Sequence, residues 1–476
     1  MSAVAVSLKD VRFYMRNVRT RMPFKYGVAV LTSVPILHVV ARCELIDGTV
    51  VEGVAADILP PKWFDKDPAK DYADNVDDLL FAARAAADAY LQAAQSPRSF
   101  FAIWQEGYAQ TLKAGDGRGL NHLTAAHGST LMERALIDAV GVGVGASYFQ
   151  SLKDNLLGLD LAAFHPELAG VAPGDVLGAA PLIRLHVRHT VGLVDPITAA
   201  DVPADERLDD GLPQTLEEYA RQGIAYYKVK ASGDLEADLA RLQAIAALLD
   251  GVGTDYRITL DGNEQYGDME TFSELLARVE DELPRIYASM LYIEQPLERS
   301  VALDPAQEAG IRAVGARRPM LIDESDEDLD TYRRALDLGY QGVSSKACKG
   351  LVKALANLAL ARRGEGRFLS GEDLMNLSVV PLHQDLAHVA ALGIGHVERN
   401  GHHYVRGLAH LADKEREGCL AAHGDMYAER DGLVALDVRD GAIEVGSLQV
   451  PGLGVGVGVE VEGMVALEDW DFASLA

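Results

Sequence analysis

Three acidic residues follow apolar segments at regular intervals in the second half of this sequence. Asp261 ends RITLD, Glu294 ends MLYIE, and Asp323 follows PMLI. They lie roughly 30 residues apart, the length of one strand-plus-helix unit. Three carboxylates brought close together repel each other in a low-dielectric site, and a divalent cation relieves that repulsion. All-oxygen ligands suit a hard ion, so the three acids predict a Mg²⁺ site. The third segment ends in two acids, Asp323 and Glu324.

Three lysines flank these acids along the chain. Lys228 and Lys230 are two residues apart on one predicted strand, so their side chains share one face, and Lys346 follows a later strand. Two neighbouring ammonium groups near a metal disfavour double protonation, which lowers the pKa of one lysine and lets it act as a base. A metal that holds a substrate carboxylate stabilises the charge that develops when the adjacent carbon loses a proton. The set therefore predicts proton removal next to a carboxylate.

The segments that carry these residues alternate with helical ones. Eight short apolar runs each end in polar residues: PLIRLHVRH, AYYKVKA, RITLDGN, MLYIEQP, PMLIDES, GVSSKAC, RFLSGED and GHVERNG. Strand–helix alternation implies parallel strands, and eight such units close into a barrel with its functional groups at the strand C-termini. The rhythm alone would also fit an open doubly wound sheet, and the charged strand ends favour the barrel. Strands two and six then lie on opposite sides, so Lys230 and Lys346 would face opposite faces of one substrate.

The remaining chain forms two further parts. The first 60 or so residues alternate as strands and are followed by Ala- and Leu-rich helical segments, so residues 1–179 predict an α+β domain before a barrel over residues 180–420. In the segment 421–476, LVALDVRDGAIEV predicts a hairpin, and we expect this tail to leave the barrel and pack on the N-terminal domain.

Composition narrows the class of partner. The formal charge is −27, which disfavours binding to nucleic acid or to anionic membranes. The three cysteines match no zinc spacing and indicate a reducing compartment. With neither a signal peptide nor a long apolar run visible in the sequence, we expect a cytoplasmic protein that acts on a small-molecule carboxylate and forms a homo-oligomer.

The strand-end motifs resemble the enolase superfamily, within its mandelate racemase/muconate lactonizing enzyme family. KVK, LDGN, IEQP, IDES and SSKACKG resemble the barrel motifs of the muconate lactonizing branch. TRMPFKYGV resembles the loop that closes over the substrate, LMERALIDA the helix leading into the barrel, and PGLGVGV the C-terminal return. The resemblance implies an α/β fold, a TIM-like (β/α)7β barrel with an N-terminal capping domain that the C-terminal tail completes.

The resemblance also implies roles for single residues. It implies Asp261, Glu294 and Asp323 as Mg²⁺ ligands, with Glu324 or Asn263 as the alternative ligand or a supporting residue. It implies Lys230 as the base on one face, Lys228 as its electrostatic neighbour, and Lys346 as the acid or base on the other face. Candidate substrate contacts are Glu372, Asp373, Glu398, Asn400, Trp63 and Tyr26. Strand eight departs from the dipeptide epimerases, because it ends in Glu398-Arg399-Asn400 without their Asp-x-Asp pair.

Several reactions and two other functions stay open at this point. Opposed lysines suit racemisation or epimerisation and also dehydration, whereas cycloisomerisation needs only one of them. A class I aldolase-type lyase could instead form a Schiff base at Lys346, although that chemistry leaves the three acids unexplained. A non-catalytic binding protein on the same barrel is the third possibility.

Overall fold

The computed structural model describes residues 3–26 and 29–475. Its N-terminal part is the expected antiparallel meander of β1 (Ala5–Tyr26), β2 (Ala29–Leu45) and β3 (Val50–Ile58), and the short β4 (Arg98–Ser99) pairs with β1. The segment TRMPFKY, which was expected to be a loop, continues β1, with Phe24 opposite Leu31. The last two residues of that motif, Gly27 and Val28, lie outside the described residues.

Helices cover one face of this sheet. They are α1 (Tyr72–Ala93), α2 (Phe100–Arg118) and α3 (His122–Val144), followed by the short α4 (Tyr148–Lys153) and α5 (Pro173–Val176). The Asp71 side chain caps α1 by accepting a hydrogen bond from the Asp74 amide. Gly145, with a φ of 70°, ends α3 in the left-handed region that glycine adopts without strain.

Eight parallel strands form a closed barrel. They are β5 (Arg184–Val191), β6 (Tyr226–Lys230), β7 (Arg257–Asp261), β8 (Met290–Glu294), β9 (Met320–Ile322), β10 (Gly342–Ser345), β11 (Phe368–Gly371) and β12 (His396–Arg399). Strand β12 pairs with β5 and closes the ring, which confirms the predicted barrel and excludes the open sheet. The helices between and around the strands are α6 (Leu216–Arg221), α7 (Leu235–Val252), α8 (Met269–Glu282), α9 (Pro284–Ser289), α10 (Glu308–Gly315), α11 (Thr331–Leu338), α12 (Leu351–Ala361) and α13 (Val380–Leu392).

The chain after the barrel contacts both parts of the molecule. It contains α14 (Gly401–Tyr404), α15 (Asp413–Ala422), a hairpin of β13 (Tyr427–Arg430) and β14 (Leu433–Leu436), then β15 (Ala442–Glu444) and β16 (Val465–Ala466). β16 pairs with β1 of the N-terminal sheet, as expected of the tail, whereas β15 stays on the barrel beside β5. The boundaries 1–179, 180–420 and 421–476 stay a prediction.

The predicted tail hairpin over LVALDVRDGAIEV is wrong in its pairing. The first half of that segment instead forms an antiparallel hairpin with the preceding strand, Tyr427–Arg430, through the turn at Asp431-Gly432. Both turn residues have positive φ, 51° and 77°, which is the geometry that a two-residue hairpin turn needs. The turn inside the predicted hairpin, Asp440-Gly441, also forms, but only Arg439 and Ala442 pair across it, so that hairpin is a single bridge.

Candidate active site

The strand-end residues converge at the carboxyl end of the barrel, under the N-terminal domain. A cavity of about 40 Å³ lies there. Its lining includes most of the predicted site residues: Tyr26, Trp63, Lys228, Lys230, Asn263, Asp323, Glu324, Lys346, Asp373, Glu398 and Asn400. Asp261, Glu294 and Glu372 do not line it and instead contact Lys228 inside the barrel.

Lys228 is the centre of this site. Its Nζ lies 2.8 Å from Glu294 Oε1, 3.0 Å from Glu372 Oε2, and 3.1 Å from both Glu398 Oε2 and Asp261 Oδ2. Burial alone would lower the pKa of Lys228, but these four carboxylates outweigh it and hold the pKa well above its usual range. Lys228 is therefore a fixed positive charge that keeps the acids of four strands together.

The other two lysines each contact one acid. Lys230 Nζ lies 2.5 Å from Asp261 Oδ2, and Lys346 Nζ lies 2.7 Å from Asp323 Oδ2. Burial lowers the pKa of Lys346, and the Asp323 carboxylate outweighs that effect and raises it. The Lys346 ammonium also lies 4.3 Å from the centre of the Trp63 ring, so a residue of the N-terminal domain covers it through a cation–π contact. The two lysines project from β6 and from the end of β10, four strands apart in an eight-stranded ring.

The pKa values of the acids between the lysines are shifted in different directions. Burial raises the pKa of Asp323, but Lys346 and Lys349 outweigh it and hold that pKa well below its usual range. For Glu294, burial and then the charges of Asp261 and Glu372 raise the pKa well above its usual range. Burial and Asp323 raise the pKa of Glu324 to about 7. The acids therefore cannot all ionise without a further positive charge.

The side chains at this site offer oxygen atoms, the type of ligand that Mg²⁺ prefers. Glu294 Oε2, Glu324 Oε2 and Asn263 Oδ1 are buried oxygens that accept no hydrogen bond from the described residues, and a hard cation would satisfy such atoms. Within residues 3–26 and 29–475, no three Asp, Glu, His or Cys side chains are arranged to hold a metal as they stand. Lys228 and Lys230 contact Asp261 in this arrangement, so metal binding by Asp261 would require those ammonium groups to shift.

Strands seven and eight supply a second group of acids. Glu398 accepts hydrogen bonds from Thr190 Oγ1 at 2.7 Å, Asn400 Nδ2 at 3.2 Å and the Asp373 amide at 3.0 Å. Burial raises the pKa of Glu398, but Lys228, Lys230 and Lys346 outweigh it and hold that pKa well below its usual range. Glu398 is thus an anion between the two opposed lysines.

Sequence reasoning missed the partners behind this group. Arg188 is fully buried, contacts Glu372, and donates to the Gly371 carbonyl at 2.9 Å. Arg188 and Thr190 are two apart on strand one, so they share the barrel-facing side of the strand. The run PLIRLHVRH also contains Arg184, His186 and His189, so no feature of the sequence singled out Arg188. Lys349, which donates to Ser344 Oγ at 2.7 Å and to the Asp323 carbonyl at 3.0 Å, was visible in SSKACKG but had no strand-end position to mark it.

The N-terminal domain closes the cavity with an apolar cover. Phe24, Leu31, Ile58 and Pro60 join Tyr26 and Trp63 in the lining. Tyr26 donates to the Pro61 carbonyl at 2.8 Å, which ties the β1 end to the segment that carries Trp63. Arg299 of the barrel donates to the Trp63 and Phe64 carbonyls, each at 3.0 Å, and holds that segment down.

Solved structures share this whole arrangement of domains. The chain superposes on an N-succinyl Arg/Lys racemase from Bacillus cereus with a TM-score of 0.61 at 15% identity, covering 96% of each chain. It superposes on a 2-chloromuconate cycloisomerase from Rhodococcus opacus with a TM-score of 0.60 at 15% identity, covering 96% of this chain and 98% of that one. It superposes on the L-Ala-D/L-Glu epimerase from Bacillus subtilis with a TM-score of 0.59 at 18% identity, covering 95% of this chain and all of that one.

This chain has the fold of the mandelate racemase and muconate lactonizing enzymes. The resemblance drawn from the strand-end motifs is thereby confirmed at the level of the fold, including the (β/α)7β barrel and the N-terminal domain. No protein-family model and no curated protein matches the sequence. In the described part of this mandelate racemase-like fold, every helix is too short or too polar to cross a bilayer.

Proposed function

We propose that the protein is a Mg²⁺-dependent enzyme that removes the proton from the carbon next to a substrate carboxylate. The observation that carries the proposal is the pair of lysines on strands two and six. Lys230 and Lys346 come from opposite sides of the barrel and line one cavity. A substrate held between them presents one face to each lysine, so one can remove a proton and the other can deliver one.

The three lysines take different parts in this mechanism. Lys228 contacts four carboxylates and stays protonated, so it supplies charge rather than proton transfer. Lys346 is held as an ammonium by Asp323 and is suited to proton delivery in this arrangement. Lys230 has Asp261 as its one carboxylate contact, next to the Lys228 ammonium, and is suited to be the base once Asp261 binds a metal instead.

Asp261, Glu294 and Asp323 would hold the metal, with Glu324 as the alternative third ligand and Asn263 in support. A bound Mg²⁺ supplies positive charge to the substrate carboxylate oxygens, on which negative charge develops as the proton leaves. Two observations support a metal at this position. Glu294, Glu324 and Asn263 have buried oxygens that accept no hydrogen bond from the described residues, and the pKa values of the two glutamates are raised. A bound dication would let both glutamates ionise.

The volume and the lining of the cavity also limit which substrates would fit. Its volume of about 40 Å³, beneath the apolar cover, favours a small substrate. Trp63, Tyr26 and the acids Asp373 and Glu398 would then contact the substrate beyond its carboxylate, together with Asn400, whereas Glu372 contacts Arg188 and Lys228 instead. Racemisation or epimerisation and dehydration begin with this proton removal, as does ring opening in a reversible cycloisomerisation.

The test is α-proton exchange. We expect one or more members of a library of small carboxylic acids to take up deuterium from D₂O in the presence of Mg²⁺ and to stop doing so with EDTA. Glu294→Gln should lose both the metal and the exchange. Exchange that persists in EDTA, with a borohydride-trapped adduct on Lys346, would replace this proposal by the Schiff-base lyase. Binding of a carboxylate without any exchange would favour the binding protein.

A further inference from the structure

A second, larger pocket lies outside the barrel wall. Its volume is about 490 Å³, against about 40 Å³ for the cavity between the lysines. It is bounded by the connection after strand one (209–213), the residues after strands seven and eight (376–378 and 401–410), and the β13–β14 hairpin. We refer to it as the outer pocket. Its size suits a small organic molecule.

Strand eight supplies residues to both cavities. Glu398 and Asn400 line the cavity between the lysines, and Arg399, whose side chain points the other way, lines the outer pocket. Arg399 is 2% exposed, and its Nη2 contacts Asp373 and lies 3.0 Å from Asp385 Oδ2. Its Nη1 has no hydrogen-bond partner in the described part of the chain. A buried guanidinium nitrogen without an acceptor is costly, and an anion in the pocket would satisfy it.

Other buried polar atoms in the lining also lack partners. His402 Nδ1, His410 Nδ1 and Asn376 Oδ1 are shielded from solvent and make no hydrogen bond with the described residues. His410 Nε2 lies 2.9 Å from the Ser378 carbonyl and must donate to it, which leaves Nδ1 of the neutral ring as an acceptor. Burial lowers the pKa of His410 to about 4, so the ring is neutral at pH 7. Asn376 Oδ1 is a second acceptor, so the pocket also suits a hydroxyl donor.

The charged side chains around the pocket differ in whether they already have an ion-pair partner. Arg406 is exposed and makes no side-chain ion pair or hydrogen bond with the described residues. Of the acids in the lining, Asp210 is already paired with Arg21 at 2.6 Å, while Asp209 and Asp431 are exposed to solvent, where their charges are screened. Arg430 is paired with Asp437. Arg406 is therefore the basic side chain of the lining without an ion-pair partner in the described residues, whereas Arg399 is paired with Asp373 and Asp385 and offers its Nη1 to a further acceptor.

The rest of the lining is apolar. Leu212, Ile224, Leu377, Leu408 and Leu436 surround the polar atoms. A ligand here gains affinity from a short hydrocarbon segment and orientation from the few polar groups, the usual division in small-molecule sites.

We propose that the outer pocket binds a small hydroxylated organic anion, with its carboxylate or phosphate on Arg406 and the Nη1 of Arg399 and with a hydroxyl group that donates to His410 Nδ1 or to Asn376 Oδ1. This ligand is separate from the substrate of the proposed reaction. Arg399 also contacts Asp373, whose other oxygen accepts from the Asn400 amide at 2.8 Å. The ligand would therefore lie one side chain away from the wall of the catalytic cavity.

Calorimetric titration of the full chain tests this site with two probes. The carboxylate probe is 3-hydroxybutyrate, with butane-1,3-diol as its neutral match, and the phosphate probe is glycerol 3-phosphate, with glycerol as its match. We expect at least one anion to bind saturably and neither neutral compound to bind. Arg406→Ala, an exposed change that should not disturb folding, should weaken that binding at least tenfold, and Arg399→Lys should weaken it similarly. Arg334→Ala is the matched control, because Arg334 is exposed on α11 without a side-chain partner in the described structure, and it should leave binding unchanged.

The same titrations separate this site from the catalytic one. Binding should persist in EDTA and in Lys230→Met, neither of which touches the outer pocket. Binding that needs Mg²⁺ or Lys230 would place the probe in the catalytic cavity and overturn the proposal. Equal affinity in wild type, Arg406→Ala and Arg399→Lys would overturn it too, as would the absence of saturable binding for both anions.

Discussion

The barrel places three lysines in different electrostatic environments. Lys228 sits among four carboxylates, Lys230 contacts one, and Lys346 contacts one carboxylate and an indole ring. Coulomb attraction in a buried site is large enough to decide which ammonium keeps its proton. In the proposed mechanism the charge held by Lys228 is therefore structural, and proton transfer falls to Lys230 and Lys346.

The opposed lysines give a prediction that depends on stereochemistry. Lys230→Ala should lose α-proton exchange for one configuration of the substrate, and Lys346→Ala should lose it for the other, by roughly 10²- to 10⁴-fold. The reason is that each lysine meets one face of the substrate. Exchange of the separate enantiomers or epimers in D₂O, followed by NMR, measures this for a racemase or epimerase. In a dehydratase or cycloisomerase, one variant should be nearly inactive towards every substrate and the other only impaired.

Lys113→Ala on the exposed surface of α2 is the control for this pair. It should retain exchange for both configurations. Equal losses for both configurations in both active-site variants, with Mg²⁺ still bound, would show that the lysines do not act on opposite faces.

At the scale of elements, the strand ends were the most predictable part of the molecule. A buried parallel strand is a short apolar run, and the residue that follows it must lie at the catalytic rim, so Asp261, Glu294, Asp323 and Lys346 could be placed from spacing alone. Contacts made across the barrel could not be predicted in this way. Thr190 meets Glu398 because β12 closes against β5, a pairing between strands about 200 residues apart that no local pattern encodes.

The segment between β3 and α1 contacts the barrel through Arg299, Lys66 and Trp63, and the Arg299 contacts can be removed by one substitution. Arg299→Ala would remove both hydrogen bonds to the Trp63 and Phe64 carbonyls and leave Glu264 with Lys66 as its remaining ion-pair partner. Hydrogen bonds to charged groups contribute roughly 1.5–3 kcal/mol, so amide exchange within residues 59–71 should become at least tenfold faster. Hydrogen–deuterium exchange with mass spectrometry measures it.

Arg285→Ala provides the comparison for Arg299→Ala. Arg285 makes a partly exposed ion pair with Asp250 at 3.0 Å, away from the cover, and exposed pairs contribute little. It should leave exchange in residues 59–71 unchanged. If Arg299→Ala does the same, other contacts hold this segment.

At the scale of the whole molecule, a single helix joins the three parts of the chain. Asp138 on α3 accepts hydrogen bonds from the Val54 amide of β3 at 2.9 Å and from the Leu453 amide of the tail at 2.7 Å. Glu133 on the same helix accepts from the Leu351 and Val352 amides at the start of barrel helix α12. One turn and a half of α3 thus contacts the N-terminal sheet, the tail and the barrel.

The expected homo-oligomer stays a prediction.

Asp138 also predicts how stability depends on pH. Burial raises the pKa of Asp138 to about 6, from 3.8, despite its two backbone hydrogen bonds. A carboxyl whose pKa is raised by folding binds its proton more tightly in the folded state, so its contribution to stability is complete below pH 4 and is lost as pH rises through 6. Asp138→Asn cannot titrate. The free energy of unfolding of the wild type, minus that of Asp138→Asn, should therefore fall by roughly 2.4 kcal/mol between pH 4 and pH 7, at about 1.4 kcal/mol per unit of pKa, and should level off above that range. Urea unfolding of both proteins at half-unit pH steps measures the difference, in which the titrations common to both chains cancel. A difference that stays constant, or that grows with pH, would mean that Asp138 is ionised in the folded protein down to its ordinary pKa and that its backbone hydrogen bonds outweigh its burial.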